Sequence, residues 1–440
     1  MAYSLTPGVS LNEWHIWHSN FDVGWVDPTD PWDYARGFVD GRKFLWRGRY
    51  TADNRLLFCA PTLGLRESRQ IIGEYLITLD DLFFNQGFPD TLGKGRAHYD
   101  NHARDYANEN RHAQVYADIT GNWQTTLTCD VPYRSLLPRR LEGLLVAGRC
   151  ISMTHDAMAC LRMQKDMQRI GEAAGIAAAL AVRDGVTPRE VSVPDLQQEL
   201  IKSGVLTQQE VADGAAGRRR ELRPVETLMS ELTGAAGATA MYELYCHGEH
   251  AFPALTRALS SDDQELARWA ALVLGAHGVQ DARPVLVEML VERDGAAWPA
   301  PLAQPRWLSA LVCLTYMVTP DLAPLFAEVL GVVGEMPNHW LYALRGLGRT
   351  GRADAVPAIK AFLGGLRADE RFWGPTANPL TAPGWKVELM AAEALIALGD
   401  EEGSEIARRY AQDRRLPVRR YARQILACAG LPTVTAGAAQ

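Results

Sequence analysis

Between Leu141 and Arg183 the pattern of hydrophobic and polar positions changes twice. Leu144 to Ala147 is a short apolar run that stops at Gly148, which predicts a buried strand entering a tight turn. Arg149 to His155 is small and polar. From about Leu161 the spacing predicts a long amphipathic helix that closes on Gly171-Glu-Ala-Ala-Gly175-Ile-Ala-Ala-Ala. Upstream, Gln70 to Leu76 suits a strand with a glycine kink, and Val131 to Leu137 a turn leading into the Leu144 strand. After Pro194, residues Asp195 to Ala212 predict a helix-turn-helix capped at Pro194/Asp195 and Thr207. The first sixty residues are dense in aromatics: Trp14, Trp17, Trp25, Trp32, Tyr34, Trp46 and Tyr50. Pro28 and Pro31 mark a loop there, and Tyr34 to Trp46 has room for a short helix and a strand.

The second half reads differently. Gly214 to Arg220 is a basic stretch expected as a flexible linker. Beyond it, Ala- and Leu-rich units recur: Leu266 to Gly275, Trp307 to Leu314, Trp340 to Gly348, Met390 to Gly399. Polar turns with Asp281-Ala-Arg-Pro284 and Asp354-Ala-Val-Pro357 follow, each starting a second apolar helix. Helix, Asp-containing turn and Pro-started helix resemble HEAT-type repeats, which stack into an α-solenoid. Such a solenoid offers long faces to partner proteins, or simply buttresses the first half. The expected organisation is an α/β (or α+β) domain over 1–213, a linker over 214–239 and an all-α solenoid over 240–430. Gly346-Leu-Gly348-Arg-Thr-Gly351 matches GxGxxG but follows a helical pattern with no strand before it, so it reads as a repeat turn.

Composition narrows the function classes. A chain of 440 residues suits two or three domains, and 47% apolar residues suffice for their cores. A net charge of −7 argues against nucleic acid or an anionic membrane as partner. Seven cysteines without a CxxC pair read as reduced thiols. No run approaches the ~18 apolar residues of a membrane span, and the N-terminus lacks a signal-like apolar core. A soluble, cytoplasmic protein is expected.

The chemistry is expected around Gly148. Small residues let a backbone approach a bulky group, and a helix N-terminus offers N–H groups and positive potential to an anion. Together they suit a flat, phosphorylated cofactor, although close helix–sheet packing alone needs the same glycines. The segment VAGRCISMTHDAMACLRMQKDMQRIGEAAGIAAALAV resembles the C-terminal flavin-contacting segment of FAD-dependent oxidoreductases of the glutathione-reductase-like superfamily. Leu63-Gly-Leu-Arg66-Glu-Ser-Arg69-Gln-Ile-Ile-Gly73-Glu-Tyr75 resembles a second motif of one subgroup. Asp80-Asp81, Phe88-Pro89-Asp90 and Val131-Pro132-Tyr133-Arg134-Ser135-Leu136 fall in the same order. The resemblance spans roughly residues 40 to 190. Glu172 and Met158-Ala-Cys160-Leu depart from the family pattern.

The resemblance implies a partial flavoprotein domain that binds FAD. It places Gly148, Arg149, Cys150, Ile151 and Ser152 along the ribityl-phosphate arm. Gly171, Ala173, Ala174 and Gly175 would lie at the isoalloxazine, and Arg66 and Arg69 at the flavin or an anionic intermediate. His155 is the candidate acid/base, since imidazole titrates near neutrality; a role in merely ordering the loop fits it as well. Arg162 is a candidate clamp for a small-molecule substrate. His98, Asp100 and His102 lack a clear fourth ligand, so no metal site is expected.

In this superfamily a strand, GxGxxG turn and helix hold the ADP half of FAD. No such unit is found here. A partner chain carrying that half, a truncated gene product and a non-catalytic accessory protein are the three explanations. The first is favoured because the remaining motifs are largely intact.

Overall fold

The computed structural model describes residues 69–100, 110–121, 125–298, 304–332, 338–373, 384–413 and 416–433, with short stretches at 3–5, 19–21, 30–32, 35 and 64–65. Arg66, His102, Trp14, Trp17, Trp25, Tyr34, Trp46 and Tyr50 lie outside the described residues.

Strands β1 (Tyr3–Leu5), β2 (Ser19–Phe21) and β3 (Gly64–Leu65) form an antiparallel sheet in the order β2-β1-β3. Helix α1 (Leu79–Phe83) starts at a reciprocal cap, with Thr78 and Asp81 bonding each other's backbone N–H. Strand β4 (Thr91–His98) pairs antiparallel with β5 (Thr126–Pro132). Between them, Asn110 caps α2 (Arg111–Ala113), which widens into a π-helix over Gln114–Ile119. Helices α3 (His155–Leu161), α4 (Gln164–Asp184), α5 (Val193–Lys202) and α6 (Gln208–Ala215) complete the first half. The protein is mostly helical, and the expected α/β character reduces to small antiparallel sheets.

Three local expectations change. Leu144–Ala147 is extended but forms no strand ladder, and Leu144 is exposed. Strand geometry is held by neighbours, and among the described residues this segment's backbone bonds across the chain only through Val146 N to Leu136 O at 2.9 Å. The long helix expected from about Leu161 forms as α4, starting three residues later at Gln164 because a separate short helix, α3, ends at Leu161. The helix-turn-helix tail forms, with Thr207 as cap of α6 and Ser192, rather than Pro194/Asp195, as cap of α5.

The stretch expected as a flexible linker is packed. Gly214 sits so close to β5 that a Cβ there would lie 2.4 Å from the Phe88 carbonyl oxygen. Gly87 N donates to Arg218 O at 2.7 Å. Helix α7 (Val225–Glu231) follows directly and packs on α8 (Gly237–His247).

From there helices pair and stack. They are α9 (Phe252–Leu259), α10 (Gln264–His277), α11 (Arg283–Val291), α12 (Arg306–Leu314), α13 (Ala323–Leu330), α14 (Asn338–Thr350), α15 (Val356–Ala368), α16 (Glu370–Trp373), α17 (Gly384–Ala397), α18 (Glu401–Tyr410) and α19 (Leu416–Cys428). Helices α8, α10, α12, α14 and α17 pack successively into one row, and α9, α11, α13 and α18 each pack on a member of it. Proline stands in the first turn of α9, α11, α13 and α15, where its missing N–H costs nothing. The GxGxxG match ends α14 as a packing feature. A Cβ on Gly346 would lie 2.7 Å from the Phe326 ring, and one on Gly348 2.9 Å from Ala394 Cα.

The π-helix docks on this row. The Tyr342 hydroxyl donates to Asp118 Oδ2 at 2.8 Å, the Ser309 hydroxyl to Ile119 O at 3.4 Å, and the Tyr316 hydroxyl to Gln114. Every π-helix residue is buried. Tyr242 packs edge-on against Phe83 and Tyr116, with centroids 4.4 and 4.9 Å apart.

Candidate functional site

The segment Gly148–Thr154 is threaded between two others by backbone bonds. Ile71 N donates to Cys150 O at 3.0 Å, Ser152 N to Ser135 O at 3.0 Å, and Thr154 N to Ile77 O at 2.8 Å. Gly73 permits this approach, since a Cβ there would lie 2.7 Å from Ser152 Cβ. Ile151 and Ser152 are thus interior residues. The Ser152 hydroxyl is buried without a hydrogen-bond partner, which is uncommon for a buried polar group.

Gly148–Cys150 is a single 3₁₀ turn that packs beside α4. Gly148 adopts φ +77°, a region that favours glycine. No atom lies within 4 Å of the place its Cβ would take. Cys150 is exposed, and the Arg149 side chain donates to Arg162 O at 3.2 Å.

Gly171 and Gly175 lie within α4, not in a turn. Together with Ala178 and Val182 they recur at helical spacing on its exposed face. Both glycines have open space where a side chain would stand. Ala173 and Ala174 are on the opposite face, buried in the core. The sequence-level grouping of Gly171, Ala173, Ala174 and Gly175 as one cofactor-contacting set therefore divides. The glycines face outward, and the alanines seat the helix.

His155 is the first residue of α3, half-buried, next to the cap Thr154, whose hydroxyl accepts from Ala157 N at 3.3 Å. Asp156 beside it is buried and receives the Tyr99 hydroxyl at 3.3 Å and the Asn110 amide. These three residues fix the start of α3. Sequence reasoning missed Tyr99 and Asn110; Asn110 is a capping-type residue ahead of α2, the one signal it offered. Arg162 is 6% exposed and donates to the Asp100 backbone and carboxylate, the latter at 3.2 Å. It is held by the protein rather than offered to a ligand. Arg69 is exposed. His98 lies 3.9 Å from Asp100, and no group of three metal-binding side chains occurs among the described residues.

Around the bare turn runs an apolar edge. Val182 is 84% exposed and Ile72 73%, and Leu76, Leu141, Leu144 and Val186 are exposed too. Arg139 N bonds Ile72 O, and Arg189 bridges Pro138 O, Glu74 and Glu142, so these segments meet. Large exposed aliphatic groups concentrated on one edge mark a contact surface.

FAD is the cofactor implied by the resemblance. Gly148 and the two helix glycines each leave open space beside their backbone among the described residues, the room a cofactor cradle needs, while Ser152 lies inside the protein. Asp166, in the first turn of α4, is a buried carboxylate whose pKa is raised by burial, against the pull of Lys165.

No curated protein matches the chain. Among solved structures, the complex of CpcE and CpcF of phycocyanin lyase from Nostoc sp. PCC7120 is similar at 22% identity. That match covers 48% of this chain and 78% of that chain with a TM-score of 0.32. An engineered protein is similar at 18% identity, covering 61% of this chain and 65% of that chain with a TM-score of 0.27. No helix among the described residues is long and apolar enough to cross a membrane. Residues 20–200, the span that holds every candidate residue above, match the family model of the FAD dependent oxidoreductases.

Proposed function

We propose that this chain is a subunit of an FAD-dependent oxidoreductase acting on a small organic substrate, with the adenosine half of the cofactor held by a partner chain. One observation carries the reading: Gly148, Gly171 and Gly175 are uncrowded and lie on the side where six large aliphatic side chains are exposed. The Gly148–Ser152 segment would hold the ribityl-phosphate arm, and Gly171 and Gly175 would lie under the ring. The bound flavin would supply hydride acceptance or donation. His155 would hold or take the accompanying proton, and Arg66, Arg69 and Arg149 would supply positive charge. The partner would cover Ile72, Leu141, Leu144 and Val182 and pair with the extended backbone of Leu144–Ala147. The helical repeats read as a HEAT-type solenoid that braces this half from behind.

The test is co-expression with the neighbouring open reading frames, looking for one that encodes a GxGxxG-bearing fragment. A complex that retains FAD through gel filtration, and loses it with Gly148→Val, supports the proposal. A stable complex that is colourless in every preparation overturns it.

A non-catalytic accessory role is the second reading. Arg162 favours it, because its guanidinium is spent on Asp100 and leaves no substrate clamp at that position.

A further inference from the structure

Where the two halves of the chain meet there is a cavity of about 210 Å³, between α1, the π-helix, the start of β5 and α8. At about 30 Å³ per water it has room for roughly seven waters, or a molecule of comparable size. Phe83 gives it an apolar wall, and Thr126, Thr128 and Thr239 give it hydroxyls. Two further polar groups of the lining are unsatisfied. The Tyr116 hydroxyl belongs to a side chain only 1% exposed and has no well-formed hydrogen bond, with Thr125 a polar neighbour. Asn85 Oδ1 is likewise buried without a partner. The left-handed backbone of Asn85, at φ +49°, is explained by its place just past the end of α1. Its orphaned amide oxygen is not. Buried polar groups are normally paired, and each one left unpaired costs free energy.

Charge selects the occupant. Arg220 is the one charged residue of the lining, and its guanidinium is bonded to Glu243. Arg223 joins the same carboxylate and also Glu231 at 2.6 Å, so two cations face two carboxylates. No excess charge remains to hold an anion. A hydroxyl both donates and accepts, which answers Asn85 Oδ1 and Tyr116 together.

We infer that this cavity is a binding site for a small, uncharged polyhydroxylated molecule of about three to five carbons. The inference does not depend on the flavin reading, because no residue of the cradle lines the cavity.

The test uses the full chain with erythritol as probe at low millimolar concentration, below the range where polyols stabilise proteins by exclusion. Titration calorimetry and the shift in unfolding temperature are read for the natural protein, Tyr116→Phe and Asn85→Asp. Tyr116→Phe removes one hydroxyl and keeps the ring, so the packing against Phe83 and Tyr242 is retained. Saturable binding by the natural protein, weakened about tenfold in Tyr116→Phe, is expected. Asn85→Asp checks the second anchor and is expected to weaken binding as well. Absence of saturable binding with erythritol, glycerol and ribitol overturns the inference. So does an equal response in the natural protein and Tyr116→Phe.

Discussion

The strip from Asn110 to Asp184 has two faces, and they are finished differently. Toward the solenoid, the π-helix is wholly buried, and Tyr316, Tyr342 and Ser309 each bond it. Toward the other side, Gly148, Gly171 and Gly175 meet nothing, and Val182 and Ile72 stand in solvent. The long helical array therefore uses part of its inner row on its own chain. Among the described residues, the glycine edge is left open. The contrast is what the proposed function builds on: the helical array braces one face and leaves the other to a partner.

The largest expected effect tests the closed face. Asp118→Ala takes the acceptor from the Tyr342 hydroxyl in a buried setting, which costs about 1–3 kcal/mol. It is read as a lower denaturant midpoint with the same slope. A variant as stable as the natural protein would mean that the seam is not held by this contact.

Gly73→Ala tests the thread behind the cradle. The new methyl would press on Ser152 Cβ at 2.7 Å and on the Arg134 and Leu137 carbonyls at 3.2 Å. Overpacking of this kind costs about 1–3 kcal/mol. Thermal unfolding measures it, and an unchanged midpoint would show that the Gly148–Thr154 segment can shift freely.

The open face predicts the opposite sign. Gly171→Ala and Gly175→Ala add a methyl where nothing lies within 4 Å, inside a helix. Each is expected to stabilise the isolated chain by about 0.5–1 kcal/mol. Each is also expected to reduce flavin retention in the complex, because the methyl would enter the proposed cradle. Stability and retention moving together would remove the case for a ligand on this face.

These two faces were not equally legible in the sequence. The solenoid helices were readable because Ala/Leu periodicity and Asp-Ala-x-Pro turns act locally; Pro284 and Pro357 do stand in first helical turns. The Gly148 turn was readable for the same reason. Leu144–Ala147 was misjudged because an apolar run specifies burial only when something pairs with it. Nothing in Gly214–Arg220 signals that Gly214 must fit against the Phe88 carbonyl, so a packed crossing looked like a linker. The docking of Gln114–Ile119 depends on Tyr316 and Tyr342, some two hundred residues away in sequence. No local pattern encodes such a contact, nor does one show that Arg162 would be taken by Asp100.

The smallest expected effect lies at the rim of the closed face. His112 Nδ1 is 3.1 Å from Asp80 Oδ1, and its ring meets Tyr245 edge-on at 5.3 Å. Asp80 raises the His112 pKa above its ordinary 6.5, against the cost of burial. A histidine with a raised folded-state pKa adds stability that is complete below 6.5 and is lost as pH climbs through the folded value. Both side chains are about half exposed, so solvent screening limits the gain to about 0.5 kcal/mol. His277, stacked on the same Tyr245, has its pKa lowered by burial and acts in the opposite direction. The comparison must therefore be made between the natural protein and His112→Phe, which keeps the edge-on ring contact and removes the charge and the Nδ1 contact. The variant should be less stable in a buffer below 6.5, and the difference should shrink as pH rises through the raised folded-state value. A difference that stays constant with pH would mean that the neutral Nδ1 contact to Asp80, and not the charge, holds α2 to α1.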